Sequence, residues 1–339
     1  MANATSLKPP SDEVARMAAS EGAVVCDLAP LRVVAVEGTD AENFLQGQLS
    51  CDVKGLPPGT CRYGSFNSPK GRMLANFVLW RSPAAGDRFL MLLPDDIAGP
   101  VAQRLRMYVL RSKVVLTDVS ADTGRFGVGG PAGAAVLNAA LGAAPAAQEA
   151  IQAGPATLLG LPGPRFVVLA AAKDADAVQA QFAGRATTAA FDVWQWLTIR
   201  AGVPVITAAT QDSFVAQAAN WDVLGGVDFQ KGCYTGQEII ARTQYLGRLK
   251  ERTFLFHVEV PDVAPGERIF SSAFDAQPCG TVVNAAPAPG GGCDLLAVLQ
   301  IGAQERGDAR LRAPDGPPLV SLPLPYSIPA ATAPRGRQS

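Results

Sequence analysis

A lysine and a cysteine stand two residues apart in the segment KGCYTGQE, residues 231–238. Thr235 and Glu238 have the spacing of a capping box, which predicts that a helix begins here. The positive end of that helix and the Lys231 ammonium would both stabilise a thiolate at Cys233, the form in which cysteine acts as nucleophile or metal ligand. A turn cysteine that only packs fits the same spacing, so the pattern leaves both interpretations open.

Residue counts exclude several other kinds of site. The chain has 339 residues and one histidine, His257, so sites that need two or three imidazoles are excluded. Its six cysteines form no C-x-x-C pair and therefore give no zinc, thioredoxin-type or ferredoxin-type pattern. With 29 basic and 30 acidic residues, the chain has no overall attraction for nucleic acid or anionic membrane.

Composition predicts a soluble cytoplasmic protein. Apolar residues make up 48% of the chain and charged residues 17%. A chain of this length and apolar content is enough to form two or three hydrophobic cores. The N-terminal segment lacks the apolar run of a signal peptide, and no stretch is long and apolar enough to span a membrane. Scattered thiols indicate a reducing compartment.

Strand and helix patterns alternate in the first part of the chain. Residues 31–36 (LRVVAV) read as a strand that leads into a helix, and residues 63–66 and 73–80 read as the two strands of a hairpin. Further on, residues 165–170 indicate a strand and residues 191–201 a helix. Tight turns between neighbouring strands favour an antiparallel α+β fold over a doubly wound parallel sheet.

The pattern changes after residue 247. Residues 253–260 alternate between the two faces of a strand, and short strands follow, which predicts a C-terminal β-barrel domain over 248–328. We expect a flexible arm over 1–22 that ends in a short helix, two intertwined α+β subdomains over 23–247 and a disordered tail over 329–339.

Trp194 lies in the predicted helix within the run WQWL. An indole can stack on a flat ligand ring in a pocket. Tryptophan at helical spacing is also typical of a helix that packs on a core, and the residues alone favour this second interpretation.

Three segments together resemble a known family. KGCYTGQEIIART at 231–243, FLQGQLSCDV at 44–53 and SPKGRMLANF at 68–77 are similar to the folate-binding YgfZ-type proteins, relatives of the glycine-cleavage T-protein, an aminomethyltransferase. The resemblance covers about residues 30–300 in order. It implies a T-protein-like fold with a central funnel for tetrahydrofolate. It also implies a role in assembling or repairing iron–sulfur clusters, which supports enzymes that thiolate tRNA.

The resemblance assigns roles to particular residues. Cys233 matches the family's signature thiol and Lys231 its lysine, the candidate catalytic pair, and a transient iron–sulfur cluster at the thiol is possible. Trp194 matches a tryptophan that lines the folate pocket, and Tyr234 and Gln237 of the signature are further candidates for folate binding.

Two positions depart from the family pattern. Leu31 stands where some relatives have an aromatic residue, so one wall of the pocket is expected to be aliphatic. Arg200 stands where relatives carry a glutamate that accepts hydrogen bonds from the pterin, and a guanidinium has no acceptor. We therefore expect weak or shifted folate binding, or an Arg200 that faces the glutamyl tail.

Three functions remain as hypotheses. The first is a tetrahydrofolate-binding accessory protein for iron–sulfur clusters that acts through Cys233, with iron–sulfur client or assembly proteins as partners. The second is a folate-dependent one-carbon transferase, which is disfavoured because residues 73–76 (MLAN) lack the aspartate pair of the T-protein. The third is a non-catalytic interaction scaffold. We expect a monomer without direct contact to nucleic acid or membrane.

Overall fold

The computed structural model describes residues 12–82, 88–245 and 249–329. Within these ranges the chain forms three β-sheets with helices packed on them, and no helix is both long and apolar enough to cross a membrane. The helices are α1 (Asp12–Glu21), α2 (Ala41–Gln48), α3 (Asp95–Arg106), α4 (Gly133–Leu141), α5 (Ala172–Ala180), α6 (Phe191–Arg200), α7 (Gln237–Tyr245) and α8 (Ile301–Arg306).

The strands are numbered in chain order. They are β1 (Val24–Asp27), β2 (Leu31–Glu37), β3 (Cys61–Asn67), β4 (Met73–Arg81), β5 (Arg88–Pro94), β6 (Val115–Asp118), β7 (Thr123–Gly129), β8 (Ala150–Ala153), β9 (Ala156–Leu161), β10 (Arg165–Ala171), β11 (Thr187–Ala189), β12 (Glu251–Val258), β13 (Arg268–Phe270), β14 (Gly280–Pro287), β15 (Cys293–Gln300), β16 (Arg310–Leu311) and β17 (Val320–Leu322).

The first two sheets share the N-terminal part of the chain. The first sheet has the order β11-β1-β7-β10-β9-β8 and is antiparallel except where β1 lies beside β11. The second sheet, β3-β4-β5-β2-β6, is antiparallel throughout. The chain thus leaves the first sheet after β1, builds the whole second sheet and then returns. The predicted antiparallel α+β fold is confirmed.

The third sheet is built by the C-terminal part of the chain. Its order is β16-β13-β14-β15-β12-β17, with every neighbouring pair antiparallel. Arg310 of β16 bridges to Pro318, just before β17, so the sheet curls back toward its other edge. The predicted C-terminal β-barrel is present as this curled half-barrel.

The N-terminal arm contains the short helix that the sequence predicts. Residues 12–21 form α1, and its small residues Ala15 and Ala19 are buried against the core. Residues 1–11 and 330–339, which include most of the predicted tail, lie outside the described residues. The predicted domain boundary at 247 and 248 also lies between described ranges.

The largest core cluster joins all three sheets. It contains Val167 of the first sheet, Trp80 of the second and Leu296 of the third. The irregular segment 201–227 runs through the same cluster and contributes Trp221, which is 1% exposed.

A buried ion pair fixes that segment to the third sheet. Arg252 Nη1 lies 2.6 Å from Asp222 Oδ1 and Nη2 lies 3.1 Å from Oδ2, and both side chains are 9% exposed. Arg252 also donates a hydrogen bond to the carbonyl of Gln217 at 2.8 Å. Losing one partner of such a pair leaves the other charged group buried without compensation.

We expect Arg252→Met to lower the free energy of unfolding by about 3 kcal/mol or more, because Asp222 would stay buried and unpaired. Urea denaturation of the full chain measures this. The control is Arg306→Met, whose side chain is 64% exposed in its pair with Asp308 and which should cost less than about 1 kcal/mol. Equal losses in the two variants would contradict the role given to the buried pair.

Candidate functional site

A cavity of about 380 Å³ lies where the three sheets meet. The second sheet and α6 supply most of its wall, β10 contributes Arg165 and Val167, and the segment 203–207 and Asn284 of the third sheet line another side. The aromatic residues that line it are Tyr63, Phe77, Phe191, Trp194 and Trp221. A volume of this size, with apolar walls and few polar groups, is typical of a small-molecule site.

Two asparagines hold the segment that closes the cavity. Asn76 of β4 donates from Nδ2 to the carbonyl of Pro204 at 2.7 Å and accepts at Oδ1 from the backbone N–H of Ile206 at 2.8 Å. Asn284 of β14 accepts from the N–H of Val205 at 2.7 Å and donates to its carbonyl at 2.8 Å. These four hydrogen bonds fix the backbone conformation of the segment, although it belongs to no strand.

The structure places two of the candidate site residues, Trp194 and Leu31, together in the cavity wall. Trp194 is 5% exposed and is held from two directions. A Cβ atom at Gly127 would lie 2.5 Å from its ring, and the guanidinium carbon of Arg165 lies over the ring, 5.8 Å from its centroid. The indole is therefore a fixed part of the wall.

Arg165 lines the cavity and is only 2% exposed, and we call the buried part of the cavity beside it the closed end. It donates from Nη1 to Thr198 Oγ1 at 3.0 Å, from Nη2 to the Tyr63 hydroxyl at 3.1 Å, and from Nε and Nη2 to the carbonyl of Pro162. All of these acceptors are neutral, and no carboxylate pairs with Arg165 in the part of the chain that the structure describes. The cavity thus ends at a buried cation.

Two aspartates mark the exposed end of the cavity, which we call the mouth. Asp95 Oδ1 lies 2.5 Å from Nε of Arg32, and Asp96 Oδ2 accepts from the backbone N–H of Ala208 at 2.8 Å. Both aspartates line the cavity and are exposed to solvent. The cavity is therefore basic at its closed end and acidic at its mouth.

Arg200, which the resemblance places in the ligand pocket, does not line this cavity. Its side chain is 40% exposed, and Nη1 lies 3.5 Å from Oδ2 of Asp294 in the third sheet. Asp294 also accepts a hydrogen bond from Trp196 Nε1 at 2.9 Å. The reason is helical geometry: Arg200 lies six positions after Trp194, which rotates it by about 240° around the axis of α6.

The signature segment packs on the turn of the β3–β4 hairpin. A Cβ atom at Gly236 would lie 2.4 Å from the carbonyl oxygen of Ser68 and 3.0 Å from the Cα of Gly71, and Gly236 has a φ of +82°. Only glycine fits both this contact and this conformation. Two of the segments that carry the family resemblance therefore meet in space.

Lys231 points its ammonium at the end of α2. Nζ donates to the carbonyls of Leu49 at 2.5 Å and Gln46 at 2.7 Å, and it lies 4.8 Å from the centroid of the Tyr234 ring. Burial lowers the pKa of Lys231 to about 8. These contacts give the lysine a structural role as a cap on α2. Its predicted effect on the Cys233 thiol stays a prediction.

Cys233 is exposed, whereas the other five cysteines are buried. Burial raises the pKa of Cys26 and Cys61 to about 12 and that of Cys51 and Cys279 to about 11. No group of three or more His, Cys, Asp or Glu side chains in the described ranges is placed to hold a metal ion.

Tyr234 and Gln237 belong to the signature segment and not to the cavity wall. Tyr234 is buried under the Lys231 ammonium, and Gln237 Oε1 accepts from the backbone N–H of Tyr234 at 3.3 Å. Because α7 begins at Gln237, Cys233 lies four residues before the helix. The sequence predicts a capping box of Thr235 and Glu238, but among the described contacts it is the side chain of Gln237 that bonds to the backbone before the helix, at Tyr234.

The predicted site residues therefore fall into two groups. Leu31 and Trp194 line the cavity, while Lys231, Cys233, Tyr234 and Gln237 form the signature segment. Strand β3 connects the groups. Tyr63 on this strand lines the cavity. Two residues further along the strand, the N–H of Ser65 donates to Ser50 Oγ at 2.8 Å. Ser50 directly follows Leu49, whose carbonyl accepts from Lys231.

Sequence reasoning missed Arg165, Tyr63 and Asn284. Arg165 begins the apolar run RFVVLAA, and the sequence alone does not show that its side chain is buried with the strand. Nothing in the sequence pairs Asn284 with residue 205, since that contact joins residues 79 positions apart.

Comparison with known proteins defines the class of this fold. The family model described as the GCVT N-terminal domain matches residues 11–168. The crystal structure of glycine cleavage system aminomethyltransferase T from Bartonella henselae superposes with a TM-score of 0.74 at 16% sequence identity, over 91% of this chain and 87% of that one. The chain therefore has the T-protein fold.

Sequence relatives narrow this to a family. The chain is 30% identical over 301 residues to the tRNA-modifying protein YgfZ of Sodalis glossinidius, covering 87% of this chain and 90% of that protein. It is 31% identical over 301 residues to the protein of the same name from Cronobacter sakazakii, covering 86% and 90%. The chain belongs to the YgfZ family.

The exposure of the cysteines gives a direct prediction. With the folded chain, iodoacetamide near neutral pH should alkylate Cys233 before any of the other five thiols, because they are buried and burial raises the pKa of several of them. Peptide mass spectrometry over a time course measures the six rates. Labelling in urea is the control, and there the six rates should converge. Preferential labelling of a buried cysteine in the folded chain would contradict this arrangement.

Proposed function

We propose that this chain is a tetrahydrofolate-binding accessory protein that supports iron–sulfur enzymes, including those that modify tRNA. Folate would occupy the central cavity, and Cys233 would act as a transient cluster ligand or as a nucleophile. The observation that carries the proposal is the cavity itself, which combines an apolar aromatic wall with a buried cation at its closed end.

The residues of the cavity fit a reduced folate. The volume of about 380 Å³ suits a pterin ring with its aminobenzoyl group, and Trp194 and Phe77 offer aromatic surface to flat rings. Leu31 supplies the aliphatic wall that the sequence predicts. The mouth is exposed, so the charged glutamyl tail can remain in water.

Cys233 lies outside the cavity and on the surface. A second protein could therefore reach the thiol while the cavity is filled. The described residues contain no group of three potential metal ligands, so a cluster carried at Cys233 would take its other ligands from the client protein. This geometry suits a transient hand-over.

The relatives support the link to tRNA modification by their name, tRNA-modifying protein YgfZ. The overall charge, 29 basic against 30 acidic residues, does not favour direct binding of tRNA. We therefore propose that the chain acts on tRNA-modifying enzymes and not on the tRNA itself.

The one-carbon transferase is a weaker alternative. Asn76 stands in the strand where the T-protein has its aspartate pair, and both of its side-chain groups are bonded to the segment 204–206. Asp95 and Asp96 line the cavity at its mouth, where one pairs with Arg32 and the other bonds the Ala208 N–H. Among the described residues, the closed end of the cavity therefore has no carboxylate that could act as a general base.

Folate binding is testable by calorimetric titration of the full chain with tetrahydrofolate. We expect Trp194→Phe to weaken binding about fivefold, since the smaller ring gives up part of the aromatic contact. The matched control is Trp196→Phe, on the same helix but outside the cavity wall, which should leave the dissociation constant unchanged. Absence of binding to the native chain, or equal effects of both variants, would contradict the proposal.

The thiol role is testable in cells that carry only a Cys233→Ser chain. This variant should fold normally because the residue is exposed, and surface changes usually stay within about 0.5 kcal/mol. Activity of iron–sulfur enzymes that thiolate tRNA should fall, while glycine cleavage should not change. Lys54→Met, an exposed change outside both groups of site residues, is the control. Normal thiolation would sink the thiol mechanism, and a glycine-cleavage defect would favour the one-carbon transferase.

A further inference from the structure

The segment that follows α3 places large apolar side chains on the surface. Eight such side chains are exposed among the described residues, and three of them, Met107, Tyr108 and Leu110, lie within four consecutive positions. Leu110 is the most exposed of the eight, at 89%. We call these three side chains the knob. A contiguous exposed apolar patch is typical of an interaction site, whereas single exposed apolar residues are not.

The backbone fixes Leu110 in this exposed position. Its neighbour Val109 packs on the core of the second sheet, and the carbonyl of Val109 accepts from the N–H of Ser112 at 2.7 Å. This bond closes a tight turn with Leu110 at the first central position. Leu110 has a φ of +46°, which turns of this kind reserve for glycine or asparagine and which is unfavourable for leucine. A leucine that is both strained and exposed is not explained by the fold, so a use outside the chain is indicated.

Basic residues without carboxylate partners flank the knob. Residues 104–113 contain no acidic residue and four basic ones, namely Arg104, Arg106, Arg111 and Lys113. None of the four forms an ion pair with a described residue, whereas Arg32 and Arg88 of the same sheet each pair with a carboxylate. The carboxylate of Asp40 reaches the segment, but it accepts from the backbone N–H of Lys113 at 2.8 Å. The knob is thus an apolar centre with a positively charged rim.

We propose that the knob is the docking surface for a second protein that carries an apolar pocket rimmed by carboxylates. Leu110 and Met107 enter the pocket, and the basic rim faces the carboxylates. Methionine, tyrosine and arginine are among the residue types enriched at protein interfaces. Complementary charges around such a centre fix the choice of partner and its orientation.

A protein fits this surface better than an anionic membrane or a nucleic acid does. Glu37 lies opposite Val115 where β2 pairs with β6, Asp118 ends β6, and Asp40 and Glu42 lie at the start of α2. Carboxylates therefore adjoin the basic rim on several sides. Membranes and nucleic acids present evenly spread negative charge and need a broad basic face. A partner protein can match a small pattern of mixed charge residue by residue.

Contacts link the knob to the signature segment. Tyr108 packs edge-on against Phe66, with 6.5 Å between the ring centroids. Phe66 forms a β-bridge with Leu49, whose carbonyl accepts from Lys231, and Cys233 follows two residues later. A partner docked on the knob is therefore held near the segment that carries the thiol. For the identity of that partner, an iron–sulfur client or assembly protein, the inference rests on the proposed function.

The first experiment separates docking from folding with the variant Leu110→Asn. Asparagine tolerates the positive φ and removes the apolar group, so the thermal midpoint of the full chain should stay equal or rise. In cells that carry only this variant, thiolation of tRNA should fall at least about fivefold, while the alkylation rate of Cys233 in the purified variant should not change. Val320→Asn, at an exposed apolar position of the third sheet, is the matched control and should leave thiolation unchanged.

Two results of this experiment would overturn the inference. A lower thermal midpoint for Leu110→Asn would show that the leucine serves the fold. Thiolation that depends on Cys233 but stays normal with Leu110→Asn would show that the knob is not needed for the hand-over.

The second experiment identifies what covers the knob. The photoreactive benzoylphenylalanine replaces Leu110, or Val320 in the control chain, and the cells are irradiated. At position 110 we expect an adduct with a protein whose crosslinked peptide is apolar and has Asp or Glu close by. Its yield should fall at least about tenfold when Arg111→Glu and Lys113→Glu are added. A protein adduct that survives this charge reversal, an adduct with lipid or RNA, or no adduct beyond that seen at position 320 would overturn the inference.

The docking surface and the proposed function fail in different ways. If a charge-sensitive protein adduct forms at position 110 while thiolation depends on neither Cys233 nor Leu110, the docking surface stands and the proposed function fails. If thiolation depends on Cys233 and no charge-sensitive adduct forms, only the docking surface fails.

Discussion

The segment 203–207 must cross between two sheets without pairing to a strand of either, and the rest of the site depends on how its backbone is satisfied. Buried N–H and C=O groups without partners are costly. Two side chains replace a neighbouring strand: Asn76 bonds Pro204 and Ile206, and Asn284 bonds both groups of Val205. The two amides thereby connect the second and third sheets through this segment and leave a cavity between them instead of a continuous core.

This constraint separates two kinds of chemistry that are adjacent in the fold. The cavity is enclosed, has one buried cation among its described residues and suits a small flat ligand. The signature segment is pinned to α2 by Lys231 and to the β3–β4 hairpin by Gly236, and it presents Cys233 to solvent. Because strand β3 contributes Tyr63 to the cavity and Ser65 to the contacts beside the segment, a ligand and the thiol could influence each other through one strand.

The fold was largely predictable because its signals are local. The hairpin of β3 and β4 follows from two apolar runs around SPKG, and α6 follows from the apolar spacing of residues 191–200. The family resemblance then gave the arrangement of these elements. The curled third sheet also agreed with the strand pattern, although β12 ends at Val258, before the predicted limit of 260.

The site was only partly predictable, since its polar contacts are long-range. Trp194 and Leu31 line the cavity, whereas Arg200 lies on another face of α6, beside Asp294. Lys231 was paired with its neighbour in sequence, whereas its partners lie 182 and 185 residues away. Arg165 and Tyr63 meet across 102 residues, and no pattern in the sequence connects them.

The central claim is that the cavity held open by the clamped segment is a folate site. A crystal structure of the chain with tetrahydrofolate tests this most directly. We predict the pterin ring inside the cavity beside Trp194, and the glutamyl tail at the exposed end near Asp95 and Asp96. An empty cavity at saturating folate, or folate bound on the outer surface of the protein, would contradict it.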